Sequence, residues 1–287
     1  MRIRISHETA YAYEPAARSI IQVLRLTPRS FETQYVVRWR ISTDVDCILR
    51  QGEDSLGNIV HSFSHPGPID RISVTAEGEI ETFNAVGVVR GAVEPLPPEI
   101  FLRAAPLAEA NGALRKFADS VVGDKREALD RLHPLMDAIH ETMTFDPAPT
   151  FPTTTAAEAF ALRRGVCQDF AHVFIACSRW LGIPSRYVSG YLVRPDGADQ
   201  SAGHAWAECH VPDLGWVAFD SANDTCTDEH YVRVAVGFDY QSAAPVRGAR
   251  AGYGNETLSV SLKIGEAQRQ SQGQGQSQSQ SQSQSQG

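Results

Sequence analysis

Three side chains of this chain have the chemistry needed for nucleophilic catalysis: Cys167, His204 and Asp220. A cysteine thiolate attacks a carbonyl carbon, an imidazole carries the proton, and a carboxylate orients the imidazole and stabilises its charged form. Cys167 stands where an apolar helical segment begins, just after Gly165, and a helix N-terminus stabilises a thiolate. These residue types predict covalent acyl transfer through Cys167.

The spacing of residues along the predicted helix and strand indicates which histidine can act as the base for Cys167. His172 follows Cys167 by five residues, and five helical steps place it about 140° around the helix, facing away from the sulfur. His204 belongs instead to a predicted strand in which His204, Trp206 and Glu208 share one face. This polar and aromatic face can line a cleft, whereas the alanines of the other face pack on the core. Trp206 is therefore a candidate substrate-binding residue.

Asp220 ends the next predicted strand, and a short turn separates it from the strand of His204. Two strands joined this way are expected to pair as a hairpin, which brings Asp220 within reach of the His204 ring. Taken alone, Asp220 also fits a turn residue at a strand end. A cysteine within an apolar helix is more often inert, as we expect for Cys177. Glu208 is the next candidate for the orienting carboxylate.

The first 90 residues have the alternation of short strands separated by turn residues, with the clearest runs at Arg2 to Ser6, Tyr35 to Ile41 and Ile72 to Ile80. Strands without helices predict an antiparallel β-sandwich. Leu96-Pro97-Pro98 is interpreted as a linker. We therefore expect a β-rich N-terminal domain over residues 1–95.

The second part of the chain mixes helices with strands, which predicts an α+β layout over residues 96–265. Helical patterns occupy residues 104–122, 125–143, 156–163 and 167–181, and strand patterns occupy 186–193, 203–211, 215–220, 231–238 and 258–264. The last of these helices is apolar nearly all round, as is typical of a buried core helix. Residues 266–287 are a Gln/Ser/Gly tail with no apolar side chain after Ala267, and we expect it to be disordered.

Composition excludes several classes of function. The chain is 42% hydrophobic and 21% charged, as in globular proteins with a core. Its formal charge of −8 (26 basic against 34 acidic residues) argues against nucleic-acid binding. The start MRIRISHETA has no apolar signal stretch, and no apolar run is long enough to cross a bilayer. We expect a cytoplasmic protein with no membrane partner.

The five cysteines do not form a disulfide or metal pattern. Their number is odd and they are widely scattered, which argues against a disulfide framework. No C-x-x-C pair exists, and the best alternative ligand set combines Cys226 and His230 with the adjacent pair Cys209 and His210. We therefore expect no metal and no cofactor. A zinc hydrolase stays as a third reading, which a metal assay and a thiol titration would separate.

Four segments resemble the motifs of bacterial transglutaminase-like proteins, in the same order along the chain. They are Arg164-Gly165-Val166-Cys167-Gln168-Asp169-Phe170-Ala171-His172, Leu181-Gly182-Ile183-Pro184-Ser185-Arg186-Tyr187-Val188-Ser189-Gly190-Tyr191, Gly203-His204-Ala205-Trp206-Ala207-Glu208, and Leu214-Gly215-Trp216-Val217-Ala218-Phe219-Asp220. The β-rich first 90 residues, Val232 to Gly237 and Pro245 to Gly248 also look like parts of that family. The resemblance covers roughly residues 1 to 250.

The resemblance implies a papain-like α+β core with a Cys-His-Asp triad on Cys167, His204 and Asp220, and acyl-thioester chemistry on protein or peptide amide bonds. Members include cross-linkers, deamidases, peptidases and inactive copies. We expect a hydrolase; the alternatives are glutamine γ-glutamyl transfer and a non-catalytic scaffold. Ser221 replaces an expected proline, and no tryptophan lies between Trp39 and Trp180. The second oxyanion donor is therefore open, the first being the Cys167 N–H.

Overall fold

The computed structural model describes residues 1–194 and 202–267. Sixteen strands are described: β1 Arg2–Ala17, β2 Ser19–Thr27, β3 Gln34–Thr43, β4 Arg50–Glu53, β5 Ile59–His65, β6 Ile69–Thr82, β7 Val88–Val89, β8 Thr144–Phe145, β9 Arg164–Gly165, β10 Ser185–Leu192, β11 His204–Val211, β12 Gly215–Asp220, β13 Thr225–Cys226, β14 Tyr231–Gly237, β15 Val246–Ala251 and β16 Asn255–Glu266. The helices are a 3₁₀ helix Pro98–Leu102, α1 Gly112–Val122, α2 Ala128–Thr142, α3 Ala156–Leu162, α4 Cys167–Trp180 and α5 Tyr240–Ala243. The predicted disordered tail and the turn at 195–197 lie outside the described residues, apart from Glu266 and Ala267.

The strands of the first 82 residues lie in two antiparallel sheets, each of which is completed by a strand from the C-terminal part. The strand orders are β16-β1-β6-β3 and β15-β2-β5-β4. Alternate side chains of β1, β2 and β6 are buried, and the buried set from both sheets forms one apolar cluster that includes Ile20, Leu24, Ile72 and Val74. Period-2 alternation places one face of each strand in this core. The predicted β-rich N-terminal region is confirmed.

Strand pairing crosses the predicted boundary at residue 95 in both directions. The last two strands join the N-terminal sheets: β16 pairs along β1 from Ile3↔Glu266 to Glu14↔Asn255, and β15 pairs with β2. In return, β7 pairs with β12 of the second part. Strands β15 and β16 satisfy the open edges of β1 and β2, so the two predicted parts, residues 1–95 and 96–265, share sheets.

In the second part, the helices pack against one central β-sheet. The sheet has the order β13-β12-β11-β10-β14, with β7 beside β12. Helix α4 packs on the face formed by Ala205, Ala207 and Phe219, and every residue of α4 from Asp169 to Arg179 is buried. Helices α1, α2 and α3 complete this core with Leu114, Leu135 and Ile139 among others. The predicted α+β layout is confirmed.

Two local predictions were wrong for identifiable reasons. The helix predicted from Ala104 begins only at Gly112, because the Asn111 side chain accepts from the N–H groups of Ala113 and Leu114 and so caps it. The predicted linker runs into the 3₁₀ helix, whose Phe101 meets Trp216 edge-on with ring centroids 5.3 Å apart. The connection between the two parts is therefore packed onto the sheet. No helix among residues 1–194 and 202–267 is long and apolar enough to cross a bilayer.

Two buried neutral histidines predict that acid destabilises the fold. His7 shares a hydrogen bond with the Tyr191 hydroxyl at 2.9 Å, and His172 Nε2 accepts from the Tyr240 N–H at 3.0 Å. Burial lowers the pKa of His7 to about 4, and burial with the charge of Arg179 lowers the pKa of His172 to about 3. The unfolded chain protonates these rings below its ordinary histidine pKa while the folded chain does not, so stability falls as the pH drops.

We expect the free energy of unfolding to fall by about 1 kcal/mol per buried histidine between pH 7 and pH 5.5. Urea unfolding at several pH values measures this. The variant His7→Asn should show a shallower dependence over the same interval, whatever its absolute stability. An unchanged slope in His7→Asn would show that His7 does not contribute to the acid sensitivity.

Candidate active site

Cys167 is the first residue of α4, and its position is fixed by contacts on both sides. Asp169 Oδ2 accepts hydrogen bonds from the Val166 N–H and from the Thr150 hydroxyl, both at 2.8 Å. These bonds cap the helix and tie it to the loop before α3. A side chain at Gly165 would place its Cβ 2.5 Å from Asp169 Oδ2, so only glycine fits there. The Cys167 side chain remains half-buried, at the end of the helix that favours an anion.

His204 and Asp220 meet at adjacent ends of β11 and β12. The two strands pair antiparallel in the predicted hairpin, with Ala207 opposite Phe219. His204 is the first residue of β11 and Asp220 the last of β12, and their Nε2 and Oδ2 atoms lie 2.6 Å apart. The distance is that of a strong, charge-assisted hydrogen bond. The carboxylate therefore fixes which nitrogen of the ring carries the proton.

The His204 ring also contacts Cys167, since the thiol makes a side-chain hydrogen bond to it. Nε2 is occupied by Asp220, so Nδ1 is the nitrogen left for the sulfur. Burial lowers the pKa of His204, but the charges of Asp220 and Cys167 outweigh burial and raise it to about 10. The His204 ring is therefore protonated at neutral pH, and it lies between the Asp220 carboxylate and the Cys167 side chain. Cys167, His204 and Asp220 are called the candidate triad below.

The Asp220 carboxylate is 1% exposed and accepts five hydrogen bonds. Oδ1 accepts the backbone N–H groups of Ala222 and Asn223, at 3.1 and 3.3 Å. Oδ2 accepts from His204, from Asn223 Nδ2 at 2.7 Å and from the Tyr231 hydroxyl at 2.8 Å. Burial raises the pKa of Asp220, but the His204 charge and these donors hold it below its usual range. Hydrogen bonds to both oxygens therefore hold the Asp220 carboxylate in position.

Sequence reasoning missed Asn223 and Tyr231. Asn223 had a local signal, because an aspartate followed by small and polar residues favours a side-chain-to-backbone turn of the kind that Asp220 makes. Ser221, which stands where a proline was expected, belongs to the same turn. Its carbonyl oxygen lies 3.2 Å from His140 Nδ1. These bonds hold the turn where a proline was expected. Tyr231 had no local signal, since it comes from the distant strand β14.

Trp206 lies beneath His204, on the face of the sheet opposite α4. Its ring stacks against His204 at 6.2 Å and meets Tyr231 edge-on at 5.4 Å, and the side chain is 2% exposed. It lines a cavity of about 40 Å³ together with Tyr231, Glu208 and Arg233. Its indole N–H has no partner among the described residues. Trp206 therefore packs against the His204 ring and supports it. Direct contact of Trp206 with substrate stays a prediction.

Glu208, the alternative orienting carboxylate, is engaged elsewhere. It is fully buried and binds Arg186 Nε at 2.7 Å and Arg233 Nε at 2.8 Å. Arg186 in turn makes two hydrogen bonds to Glu94, two residues before the predicted linker, at 2.6 and 2.8 Å, and its guanidinium lies over the Trp216 ring at 3.8 Å. Both arginines hold the pKa of Glu208 below its usual range against the effect of burial. Glu208 thus belongs to a buried ion-pair network, and Asp220 is the carboxylate that binds His204.

The cysteine and histidine set considered from the sequence as a metal site is not assembled in the described residues. Cys209 is buried against the Ser185 hydroxyl at 3.1 Å. The ligand-type side chains that do come within 4.8 Å of one another, among residues 1–194 and 202–267, are Asp228, Glu229 and His230. That set includes no cysteine, so it differs from the one considered.

Iodoacetamide at neutral pH is expected to label Cys167 ahead of the other cysteines. Cys167 is half-buried beside His204, whereas Cys177 and Cys209 are fully buried and burial raises the pKa of each to about 12. Peptide mass spectrometry over a time course measures the order. Cys47 and Cys226 are also half-buried and serve as controls for access without a candidate base. Faster labelling of Cys47 or Cys177 would contradict the nucleophile assignment.

Two family models match this chain in the order of its two parts. The model of the bacterial transglutaminase-like N-terminal region matches residues 3–81, and the model of the transglutaminase-like superfamily core matches residues 115–221. The second match contains Cys167, His204 and Asp220. The first covers strands β1 to β6 of the sandwich.

Whole-chain relatives and a solved structure agree with these matches. The protein ML0607 of Mycobacterium leprae is 30% identical over 286 residues, covering 92% of this chain and 98% of its own length. Rv2569c of Mycobacterium tuberculosis is 30% identical over 272 residues, covering 86% and 87%. A crystal structure described as "a Putative Cysteine Protease from Cytophaga hutchinsonii" superposes with a TM-score of 0.74 at 20% identity, covering 92% of this chain and 90% of that one. At this identity the likeness shows the fold.

Proposed function

Because the chain belongs to the transglutaminase-like superfamily, we propose that it is a cysteine-dependent amide hydrolase that forms an acyl-thioester on Cys167. One observation carries the proposal: His204 Nε2 lies 2.6 Å from Asp220 Oδ2 while the same ring hydrogen-bonds Cys167. A nucleophile, a proton carrier and an orienting carboxylate in contact are what covalent acyl transfer requires.

The proposed reaction begins with Cys167 as the nucleophile. As a thiolate paired with the His204 imidazolium, it adds to the amide carbonyl carbon, and the carbonyl oxygen becomes an oxyanion. The Cys167 backbone N–H, at the start of α4, is the first donor to that oxyanion. His204 gives its proton to the amine nitrogen, the carbon–nitrogen bond breaks, and a thioester and a free amine remain. His204 then takes a proton from water, which attacks the thioester and releases the acid and the thiolate.

Transfer of the acyl group to an amine is the second candidate, and one observation favours it. Asp224, in the loop that follows Asp220, lies near Asp137 and Glu141. Burial raises the pKa of Asp224, and the charge of Asp137 raises it further. This group of carboxylates, in the loop after Asp220 and on α2, attracts a cationic amine such as lysine. The sequence, by contrast, has no tryptophan between Trp39 and Trp180 of the kind that animal cross-linkers use, which supports water as the acceptor.

The test offers the protein a panel of peptide amides with and without a fluorescent primary amine in millimolar excess. Intact-mass spectrometry detects the acyl adduct, and peptide mapping should place it on Cys167. Hydrolysis predicts free acid with little amine incorporated. Amine incorporation that outpaces hydrolysis would make the protein an acyltransferase instead. The matched controls are Cys167→Ala, which should form no adduct, and Cys47→Ala, which should behave as the unaltered protein.

A scaffold function predicts a different result from the same assay. In that case Cys167 reacts with iodoacetamide, yet no peptide amide forms an adduct and none is turned over. That outcome would contradict the proposed hydrolase. The cytoplasmic location expected from the sequence remains a prediction, which cell fractionation would test.

A further inference from the structure

One carboxylate oxygen of the candidate triad, Asp220 Oδ2, accepts more hydrogen bonds than it has lone-pair directions. Asp220 Oδ2 accepts from His204 Nε2 at 2.6 Å, from Asn223 Nδ2 at 2.7 Å and from the Tyr231 hydroxyl at 2.8 Å. A carboxylate oxygen offers about two lone-pair directions. Three close donors therefore share its negative charge, and each weakens the hold on the other two.

Asn223 and Tyr231 also restrict where the carboxylate can go. The Asn223 amide nitrogen lies 3.3 Å from His204 Nε2, so two N–H donors stand side by side on the same oxygen. Tyr231 approaches from β14 with its ring edge-on to Trp206, which fixes the direction of its hydroxyl. Neither residue touches Cys167 in the contacts described for this site, so both act on the chemistry through Asp220.

We propose that Tyr231 and Asn223 are positioning residues that draw charge from Asp220 Oδ2, so that the His204 imidazolium gives up its proton to the leaving amine. An imidazolium held too tightly by a carboxylate is a poor acid, whereas one without a carboxylate loses its orientation. Two neutral donors on the same oxygen leave the His204 ring oriented by Asp220 and weaken the hydrogen bond between the imidazolium and the carboxylate. This inference rests on the proposed function for its role in turnover, but its effect on His204 exists without any substrate.

The groups that face His204 determine how the effect is measured. They are Cys167 of α4, Asp220 of β12, Tyr231 of β14, and Asn223 in the following loop, while Asp228 acts on Tyr231 from the next loop. Cys167 and Asp220 both raise the pKa of His204. Removing the thiol in a Cys167→Ala background leaves Asp220 as the main charged partner, and the titration then moves toward accessible pH.

The test is a nuclear magnetic resonance titration of labelled histidines in full-length Cys167→Ala protein, with His204 assigned by the resonance missing from Cys167→Ala/His204→Gln. Adding Tyr231→Phe frees charge on Oδ2, so we expect the His204 titration to move up by about one pH unit. Asn223→Ala should move it in the same direction. Asn223 is exposed, so this second variant gives an answer even if Tyr231→Phe folds poorly.

Tyr191→Phe is the matched control. Tyr191 is a buried tyrosine of the same sheet whose hydroxyl bonds His7 at 2.9 Å. This control should leave the His204 titration unchanged. No shift in Tyr231→Phe or Asn223→Ala, or a downward shift, would overturn the inference and leave both residues with a packing role only.

A second measurement links the inference to turnover. With Cys167 intact, Tyr231→Phe should slow hydrolysis of peptide amides about tenfold more than hydrolysis of esters with a good leaving group, which need no proton from His204. Equal slowing of both substrates would contradict a role in proton donation. An upward His204 shift with no hydrolysis by any variant would refute the proposed hydrolase while leaving the charge-sharing at Asp220 intact.

Discussion

Replacing Asp220 by asparagine is expected to slow acylation of Cys167 about a thousandfold to ten-thousandfold. The amide keeps the shape of the side chain but removes the charge that holds the His204 imidazolium, and it allows the wrong nitrogen of the ring to carry the proton. Asp220 is the first cause after burial in setting the His204 pKa at about 10. The rate of adduct formation with a peptide amide measures the loss, and circular dichroism checks that the chain is folded.

Asp119→Asn is the control for this change. Asp119 also accepts a hydrogen bond from a ring nitrogen, Trp180 Nε1 at 2.9 Å, but Trp180 lies at the opposite end of α4 from Cys167. We expect its acylation rate to match that of the unaltered protein. If Asp220→Asn and Asp220→Ala both retain near-normal rates, the orienting role belongs to another group and the candidate triad is wrong.

Replacing Glu208 by alanine is expected to lower the free energy of unfolding by about 3–5 kcal/mol. The change removes the anion between Arg186 and Arg233. Arg186, only 2% exposed, keeps Glu94 but loses the acceptor of its Nε–H, and Arg233, 12% exposed, loses both of its bonds to Glu208. A buried charge that loses its partner is among the costliest defects in a core. Urea unfolding, followed by tryptophan fluorescence, measures the loss.

Glu79→Ala provides the comparison, because its arginine partners are exposed. Glu79 binds Arg2, Arg4 and Arg38, whose side chains are 43%, 65% and 67% exposed. Water replaces a lost partner for exposed arginines, so this variant should unfold close to the unaltered protein. Equal losses in Glu208→Ala and Glu79→Ala would show that burial of the Arg186 network does not decide its contribution.

The pairing of His204 with Asp220 could be predicted because it depends on local rules. Strand period places His204 and Asp220 on matching faces, and the short turn forces β11 and β12 into one hairpin. The first residue of α4 was predicted by the same kind of reasoning, since the apolar run and Gly165 mark where a buried helix begins. Each of these signals spans fewer than about 20 residues of sequence.

Tyr231 could not be predicted, because its contact depends on the order of strands in the sheet. Strand β14 lies next to β10 and at the opposite end of the sheet from β13, yet its first residue reaches Asp220 on β12. The approach requires Gly190 on β10, where a Cβ would lie 2.1 Å from the Val232 carbonyl oxygen and 2.6 Å from the Trp206 ring. Nothing local in the sequence relates Gly190, Trp206 and Tyr231 before the sheet exists.

The positions of β15 and β16 were missed for the same reason. The sequence predicted a strand over residues 258–264, within β16, and no strand at β15. The choice of partner depends on which edges remain open once the other strands have paired. The open edges belong to β1 and β2, more than 200 residues earlier in the chain. Sequence pattern identifies an element of this kind, while the competition among sheet edges decides its place.

The pairing of β1 with β16 has a consequence for how the protein forms on the ribosome. Synthesis proceeds at roughly 5–20 residues per second, so β1 emerges well before its partner strand has been made. Throughout that interval β1 has an unpaired edge, while the segments carrying Cys167, His204 and Asp220 are already available to fold. The candidate triad can therefore be assembled in a nascent chain whose first sheet is still open. Closure of that sheet therefore waits until β16 has been synthesised.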